Sequence, residues 1–328
     1  MPQTTYRIAR ESWPIAGSFS ISRGSKTSAD VIVVELERAG QRGHGECVPY
    51  ARYGETLEST EAALEGIRDH VEAGLHREAL TSLLPAGAAR NAIDCALWDL
   101  EAKLSGIPAW RAAGLSKPQP AVTAFTISLG TPQAMGAAAA TARDRPLLKL
   151  KLGGDGDLER VQAVRNAAPH ARLIVDANEG WTPEQVESLT PDLARLGVEL
   201  IEQPLPAGKD DALDKTRSAV PLCADESFHG ADDLATIAGR YQMVNIKLDK
   251  TGGLTEALRI MEAARKMGLE IMVGCMVGTS LAMAPAALLA GAARYVDLDG
   301  PLLLARDRSP GMIYEGSAMY PPPSELWG

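Results

Sequence analysis

Eight short apolar runs recur at a nearly constant spacing from residue 121 onward, and they restrict the fold of this 328-residue chain more than any other feature. Their starts lie 22 to 27 residues apart, with helix-like segments between them. The runs are residues 121–127, 147–152, 172–177, 198–203, 221–226, 243–248, 270–275 and 295–300. Strands that alternate with helices pair in parallel through right-handed crossovers. Eight evenly spaced units therefore predict a closed α/β barrel, with an open doubly wound sheet as the alternative.

The chain before the first run has a different pattern. Residues 31–37 read as a strand, and 38–43 predict a turn that leads into a second strand. Two helical segments follow at 56–73 and 86–104. Strands followed by helices predict an α+β domain that precedes the barrel.

These patterns divide the chain into three parts. We predict an N-terminal α+β capping domain over residues 1–118 and a barrel domain over residues 119–300. The remaining segment, 301–328, contains three consecutive prolines and is predicted to return to the cap.

Composition and charge exclude several classes of protein. With 45% hydrophobic and 23% charged residues the chain is a typical globular one. A formal charge of −9 and the lack of a basic run predict no nucleic-acid partner. Residues 271–293 are uncharged and long enough to span a bilayer, but glycines and Pro285 interrupt them, so we predict a strand, a turn and a small-residue helix instead of a membrane span. Four widely spaced cysteines and no apolar leader predict a cytoplasmic location.

Charged residues lie at the same end of six of the eight predicted strands. The active sites of such barrels are built at the C-terminal ends of the strands. The residues are Lys149, Lys151, Asp176, Glu202, Asp225, Lys247, Asp297 and Asp299, and the uncharged Asn178 lies beside Asp176. Burying charged groups inside apolar runs is costly unless they pair or bind a metal. We therefore predict a functional site there in preference to scattered ion pairs.

Three single carboxylates, those of Asp176, Glu202 and Asp225, lie on successive strands and would converge above the barrel. Oxygen ligands with no His or Cys among them favour Mg²⁺ over zinc or copper. The alternative is that each carboxylate caps the helix that follows it. That alternative fits Asp225-Glu226-Ser227 but hardly all three sites.

The lysines indicate proton transfer. Lys149 and Lys151 share one face of their strand, whereas Lys247 enters from the other side of the carboxylates. A lysine acts as a base near neutral pH only if burial or nearby positive charge lowers its pKa. Two bases that face each other across one carbon suit racemisation or epimerisation, and Mg²⁺ can stabilise the enediolate formed next to a carboxylate. Salt bridges to neighbouring carboxylates are the alternative.

At these residues the chain resembles the enolase superfamily, in its muconate-lactonizing subgroup, for which a lysine base and Mg²⁺ are an established pattern. The similarity extends over nearly the whole chain. It is carried by Gly45-Glu46-Cys47-Val48-Pro49-Tyr50, Arg52-Tyr53-Gly54-Glu55, Gly87-Ala88-Ala89-Arg90-Asn91, Trp98-Asp99-Leu100, Lys149-Leu150-Lys151, Val175-Asp176-Ala177-Asn178-Glu179, Glu202-Gln203-Pro204-Leu205-Pro206, Cys223-Ala224-Asp225-Glu226-Ser227 and Asn245-Ile246-Lys247-Leu248-Asp249-Lys250-Thr251-Gly252-Gly253. The resemblance implies a (β/α)7β barrel, which is a modified TIM barrel, beneath the capping domain.

Within that subgroup the chain resembles the bacterial dipeptide epimerases of the L-Ala-D/L-Glu type, which belong to murein-peptide metabolism. The distinguishing feature is Asp297-Leu298-Asp299 on the last strand, where two carboxylates suit the ammonium group of a dipeptide. The alternative is a rim pair that forms a salt bridge with Arg294 or Arg306.

The resemblance implies a role for each site residue. Mg²⁺ would be held by Asp176, Glu202 and Asp225. Lys151 and Lys247 would be the acid/base catalysts for the L and D faces, with Lys149 near the enediolate oxygen. Arg23, in the family's mobile cap loop, would bind the glutamate side chain, and Thr126 would be a further substrate contact.

Two other functions remain open at this point. A muconate cycloisomerase or an o-succinylbenzoate synthase would share the metal and the lysines, but neither substrate carries an ammonium group. A catalytically silent relative would bind a metabolite, but it would not need both Lys151 and Lys247. Related barrels form several assemblies, so a homo-oligomer is also an open alternative.

Overall fold

The computed structural model describes residues 4–328, and their N-terminal part is a three-stranded antiparallel sheet with helices on one side. The strands are β1 (Thr5–Ile21), β2 (Gly24–Arg38) and β3 (Gln41–Cys47), and the helices are α1 (Leu57–Gly66), α2 (Arg68–Glu72), α3 (Leu80–Leu83), α4 (Ala88–Ser105) and α5 (Ala109–Ala112). Helix α4 packs directly on β3 because two glycines of this strand, Gly43 and Gly45, allow a close approach. A Cβ atom at Gly45 would lie only 2.1 Å from the carbonyl oxygen of Ala92.

Three details of this region differ from the sequence-based predictions. The turn predicted over 38–43 is confined to Ala39 and Gly40, which both have a positive φ, and β3 already begins at Gln41. The helix predicted over 56–73 is interrupted at Ile67, which separates α1 from α2. Strand β1 was not predicted at all, because most of its side chains are exposed and it lacks an apolar run.

The second part is a parallel barrel. The strands and helices along this part of the chain are β4 (Ala121–Val122), β5 (Phe125–Ile127), α6 (Pro132–Thr141), β6 (Leu147–Lys151), α7 (Asp157–Ala167), β7 (Arg172–Asp176), α8 (Pro183–Arg195), β8 (Val198–Glu202), β9 (Leu222–Ala224), α9 (Leu234–Ile237), β10 (Met243–Lys247), α10 (Leu248–Thr251), α11 (Leu254–Lys266), β11 (Glu270–Gly274), α12 (Ser280–Ala287), β12 (Tyr295–Asp297), α13 (Gly300–Leu303), β13 (Tyr314–Glu315) and β14 (Ala318–Met319). Strands β13, β14 and β4 form a small antiparallel sheet of their own, apart from the barrel. Strands β5 to β12 form one sheet in chain order, and a parallel bridge between Thr123 and Val296 joins its two edges. The closed barrel is confirmed, and the open doubly wound sheet is excluded.

The interior of the barrel has two layers. The lower layer is an apolar cluster with one residue from each strand: Ala124, Leu147, Ile174, Leu200, Cys223, Met243, Met272 and Tyr295. The upper layer consists of the residues two positions further along: Thr126, Lys149, Asp176, Glu202, Asp225, Asn245, Gly274 and Asp297. Side chains two positions apart on a strand point to the same side, so both layers face the barrel axis.

The uncharged stretch 271–293 contains β11 and the short helix α12, as predicted. Among residues 4–328, no helix is long and apolar enough to cross a membrane.

The C-terminal segment runs from the last barrel strand back to the N-terminal part. The backbone N–H of Gly328 donates to Asp99 Oδ1 at 2.7 Å, and the indole N–H of Trp327 donates to the carbonyl oxygen of Cys95 at 3.0 Å. The domain boundaries at 118 and 300 stay predictions.

Candidate active site

The three carboxylates predicted to bind a metal lie together at the upper ends of neighbouring strands. Asp176 on β7 is paired in the sheet with Glu202 on β8, and Asp225 follows β9 directly. All three are at least 98% buried. Beyond β7 and β8 the backbone has a positive φ at the non-glycine residues Asn178, Glu179 and Gln203. Such strained conformations cluster at functional sites.

Two lysines connect these carboxylates. The Lys149 ammonium lies 2.5 Å from Glu202 Oε2 and 3.6 Å from Asp176 Oδ2. The Lys247 ammonium lies 2.6 Å from Asp225 Oδ2 and 3.7 Å from Glu202 Oε1. Because each ammonium reaches two carboxylates, the three carboxylates converge on one region above the barrel axis.

Lys151 completes the cluster of charges. Its ammonium donates to Asp176 Oδ2 at 2.6 Å. It enters from β6, whereas Lys247 enters from β10, with three strands between them. The two lysines therefore approach the carboxylates from opposite sides.

Electrostatics keeps Asp225 and Lys247 charged. Burial raises the pKa of Asp225, but the ammonium groups of Lys247 and Lys250 outweigh burial and hold it well below its ordinary value. Burial lowers the pKa of Lys247, yet Asp225 and Glu202 outweigh burial and raise it well above its ordinary value. The lowering of the Lys247 pKa that burial causes is thus more than offset by these carboxylates of the protein itself.

A cavity of about 450 Å³ lies above this cluster, between the barrel and the cap. Its barrel wall includes Lys151, Asn178, Asp225, Glu226, Lys247, Cys275 and Met276, and its cap wall includes Phe19, Arg23, Tyr50 and Tyr53. Lys151 and Lys247 therefore both line one cavity that is large enough for a small ligand. Lys149, Asp297, Asp299 and Thr126 lie deeper and do not line it.

Comparison with known proteins identifies the family. Residues 134–312 match the family model described as "Enolase C-terminal domain-like", and residues 3–114 match that of the "Mandelate racemase / muconate lactonizing enzyme, N-terminal domain". This chain belongs to the enolase superfamily.

Many proteins are similar to this superfamily member along nearly its full length, and three of them are described here. The L-Ala-D/L-Glu epimerase of Escherichia coli K12 is 47% identical over 94% of this chain and 97% of its own. The N-acetyl-D-glutamate racemase of a Pseudoalteromonas species is 49% identical over 91% and 95%. A crystal structure of an enolase family member from Agrobacterium tumefaciens, described as having homology to dipeptide epimerases and as holding sodium and L-Ala-L-Glu, is 53% identical, covers 99% of this chain and 100% of its own, and has a TM-score of 0.97.

The predicted side-chain selector, Arg23, lies at the tip of the β1–β2 hairpin in this member of the superfamily. Its side chain is 28% exposed and lines the cavity. It donates to Glu226 Oε1 at 2.7 Å and to Glu179 Oε2 at 3.0 Å. The arginine therefore lies at the mouth of the cavity, but it is already engaged by two carboxylates.

Asp297 and Asp299 lie on the other side of the cluster. Asp297 Oδ2 accepts from Lys149 at 2.7 Å, and Asp297 Oδ1 is buried without a hydrogen-bond partner among residues 4–328. Asp299 Oδ2 accepts from the backbone N–H of Thr126 at 2.7 Å. Burial, reinforced by Asp297, raises the pKa of Asp299 to about 7.

The proposed salt bridges from Asp297 and Asp299 to a local arginine are not formed. Arg294 pairs with Glu270 at 2.6 Å, and Arg306 lies over the ring of Trp13.

Several residues that shape the site were missed by sequence reasoning. Lys250 is buried and donates to Asp225 Oδ1 at 2.6 Å, so this carboxylate faces two ammonium groups. The amide of Asn245 donates to Glu202 Oε1 at 2.7 Å. Glu226 is 2% exposed and lines the cavity. The position of Glu226 directly after Asp225 was the only signal that could have revealed it.

Two buried carboxylates join the cap to the barrel beside the site. Asp249 Oδ1 accepts from the backbone N–H of Val48 at 3.0 Å and from the amide of Asn91 at 2.8 Å. Glu46 accepts from the backbone N–H of Thr279 at 2.8 Å and from Arg308 at 2.8 Å. Asp249 therefore holds the cap segment that begins at Val48, and it forms no salt bridge with Lys247 or Lys250, which pair with Asp225 instead.

Proposed function

We propose that this protein is a Mg²⁺-dependent dipeptide epimerase that interconverts L-Ala-D-Glu and L-Ala-L-Glu by a 1,1-proton transfer. One observation carries the proposal. Lys151 and Lys247 reach a single cavity from β6 and β10, on opposite sides of the buried carboxylates. Two opposed bases are what inversion at a carbon requires, whereas a protein that only binds its ligand has no need of them.

In the proposed mechanism one lysine, in its neutral form, removes the α-proton of the glutamate residue. The electron pair of the C–H bond moves toward the α-carboxylate, and an enediolate forms. The opposite lysine then returns a proton to the other face of the same carbon, so that the configuration is inverted. We assign Lys151 to the L epimer and Lys247 to the D epimer, from the resemblance to the dipeptide epimerases.

Asp176, Glu202 and Asp225 would hold the cation. Their chemistry fits Mg²⁺ because they are three buried oxygen donors with no His or Cys among them. Among residues 4–328, no three His, Cys, Asp or Glu side chains are arranged closely enough to hold a metal ion as they stand. Each of these three carboxylates is paired with a lysine ammonium group instead. When bound, the cation supplies positive charge next to the substrate carboxylate and thereby stabilises the negative charge that develops there. It would also neutralise the carboxylates that raise the pKa of Lys247.

The ends of the dipeptide would be held by the remaining predicted residues. Arg23, at the mouth of the cavity, would bind the side-chain carboxylate, and Thr126 and Lys149 would be further substrate contacts. Asp297 and Asp299 would bind the ammonium group. The buried and unpartnered Asp297 Oδ1 supports this assignment because such an oxygen is stabilised by a donor. This role needs both aspartates, Asp297 at the end of β12 and Asp299 just beyond it, to become accessible from the cavity.

A location in the cytoplasm and a role in murein-peptide metabolism complete the proposal. All four cysteines are free thiols, which agrees with a reducing compartment.

The proposed reaction can be followed by proton NMR. The purified protein is incubated in D₂O with Mg²⁺ and L-Ala-D-Glu. We expect the glutamate α-proton signal to disappear while the signals of L-Ala-L-Glu grow. If the α-proton does not exchange for either epimer, with or without Mg²⁺, the proposed function is wrong.

A second candidate is the racemisation of N-acetylglutamate, and the 49% identity to an N-acetyl-D-glutamate racemase favours it. Both substrates are glutamates with an acylated amine, and they differ in whether the acyl group carries an ammonium group. The same NMR assay is run with N-acetyl-D-glutamate as well as with L-Ala-D-Glu. The ratio of kcat/KM for these two substrates distinguishes the candidates.

A further inference from the structure

Four charged side chains close the mouth of the cavity, and we call them the mouth cluster. They are Arg23 and Arg52 from the cap, and Glu179 and Glu226 from the barrel. Arg52 donates to both oxygens of Glu179, at 2.8 and 2.7 Å. Arg23 donates to Glu179 at 3.0 Å and to Glu226 at 2.7 Å. When both glutamates are ionised, they balance the two arginines, and the mouth cluster carries no net charge.

Arg23 has little free hydrogen-bonding capacity. One terminal nitrogen donates to Glu179 and to the carbonyl oxygen of Asn178, at 3.1 Å. The other donates to Glu226 and, at 3.3 Å, to the hydroxyl of Tyr50. Among residues 4–328, only its Nε–H has no acceptor. A carboxylate that enters the cavity therefore cannot bind Arg23 with two parallel hydrogen bonds unless a present partner moves.

Glu226 is the partner that faces the cavity. Its side chain is buried and lines the cavity, and among residues 4–328 its Oε1 accepts only from Arg23. The second oxygen, Oε2, is buried and has no hydrogen-bond partner in the described part of the chain. Glu179, by contrast, is also held by Arg52 and by the backbone N–H of Ala207. Glu226 is thus the less firmly held of the two carboxylates on Arg23.

We propose that Glu226 competes with the side-chain carboxylate of the substrate for Arg23 and thereby sets how strongly the site prefers acidic dipeptides. This inference rests on the proposed function, because it deepens the role of Arg23 in that function. A substrate carboxylate takes the place of Glu226 on the guanidinium group, and the repulsion between two like charges weakens its binding. An uncharged side chain such as leucine does not meet this competition.

The test is to measure the dissociation constants of L-Ala-L-Glu and L-Ala-L-Leu by titration calorimetry with Mg²⁺, for the wild type and for Glu226→Gln. The amide can still accept a hydrogen bond from Arg23, but it carries no charge. We expect the preference for L-Ala-L-Glu over L-Ala-L-Leu to rise by about tenfold. Glu184→Gln, which removes an exposed charge on α8, is the matched control and should leave the preference unchanged.

Two further variants keep the test decisive. In an Arg23→Ala background the gain from Glu226→Gln should vanish, because the two residues act through one contact. If Glu226→Gln does not fold, Glu179→Gln should raise the preference in the same direction.

Two results would overturn this inference and leave the proposed function intact. One is a preference for L-Ala-L-Glu that stays constant or falls in a folded Glu226→Gln protein. The other is a gain in that preference that persists in the Arg23→Ala background. If the wild type binds neither dipeptide, the proposed function fails, and this inference fails with it.

Discussion

The lower and upper layers of the barrel interior are built by the same strands, two residues apart, yet their chemistry is opposite. Every member of the lower layer is apolar or aromatic and at most 2% exposed. The upper layer is also buried but holds Lys149, Asp176, Glu202, Asp225 and Asp297. Both layers lie on the same strands and face the barrel axis, so the difference is due only to which side chains occupy the two positions.

This contrast shows how a barrel separates stability from function. Packing of apolar side chains in the lower layer stabilises the fold. In the upper layer, each buried carboxylate must be compensated by an ammonium group, and such compensation contributes little net stability. The charges are therefore retained for their chemistry, and the lower layer provides a rigid base that positions them.

The largest expected effect is on catalysis by the lysines that flank the upper layer. Lys151→Ala and Lys247→Ala should each slow the interconversion of L-Ala-D-Glu and L-Ala-L-Glu by at least about 10³-fold, because inversion needs both bases. The rate is measured by NMR with Mg²⁺ present. A variant within tenfold of the wild type would contradict the two-base mechanism.

The second prediction concerns charge compensation in the upper layer. Lys149→Met should lower the free energy of unfolding by about 3–5 kcal/mol, because it leaves Glu202 and Asp297 buried without their shared ammonium group. Urea denaturation measures the change. Lys266→Met, which breaks an exposed pair with Glu262, is the control and should have no measurable effect.

The third prediction concerns the lower layer. Leu200→Ala should reduce the free energy of unfolding by about 2–5 kcal/mol through loss of buried surface and a residual cavity. Because Leu200 contacts no reacting group, stability should suffer far more than kcat. If kcat falls as steeply as for a lysine variant, the two layers are not functionally separate.

The fourth prediction concerns Asp249, at the junction between barrel and cap. Burial raises its pKa from 3.8 to about 7. Between these values the carboxyl is protonated in the folded protein and ionised in the unfolded chain, so its contribution to stability is present at low pH and is lost as the pH rises through 7. Relative to Asp249→Asn, the wild type should lose on the order of 4 kcal/mol between about pH 4 and 8.

Urea denaturation of both proteins across this pH range is the measurement. The amide oxygen of the variant can still accept from Val48 and Asn91, so the comparison isolates the titration. Parallel stability curves would show that the carboxyl of Asp249 does not titrate in this range.

The smallest effect is expected at the mouth of the cavity. Arg23→Ala should raise the KM for L-Ala-L-Glu by about tenfold and the KM for L-Ala-L-Leu much less, because only the acidic side chain loses a charged partner. Steady-state kinetics with both dipeptides provides the test. Equal effects on the two substrates would remove Arg23 as the side-chain selector.

The two layers also explain which features could be predicted from the sequence. The apolar runs reveal the strands, and a charged residue at the end of a run reveals the upper layer. For this reason the barrel and the convergence of Asp176, Glu202 and Asp225 were predictable. The lysines that these carboxylates share also lie at the ends of apolar runs, so the same pattern predicts them.

The cap and its contacts with the barrel were less predictable. Strand β1 alternates with mostly exposed side chains, so no apolar face marks it. The hydrogen bonds of Arg23 to Glu179 and Glu226 join residues 156 and 203 positions apart, and a linear pattern carries no record of them. Glu226 and Lys250 lie beyond strand ends, where the period-two pattern has already stopped.

The central claim is that two lysines act on opposite faces of one carbon, and isotope exchange in the single variants tests it most directly. Each variant is incubated in D₂O with Mg²⁺ and either pure epimer, and the α-proton is followed by NMR. We predict that Lys247→Ala exchanges the α-proton of L-Ala-L-Glu without inversion, and that Lys151→Ala does so only with L-Ala-D-Glu. If either variant still inverts the carbon at the rate of the wild type, the two opposed lysines are not the bases of this reaction.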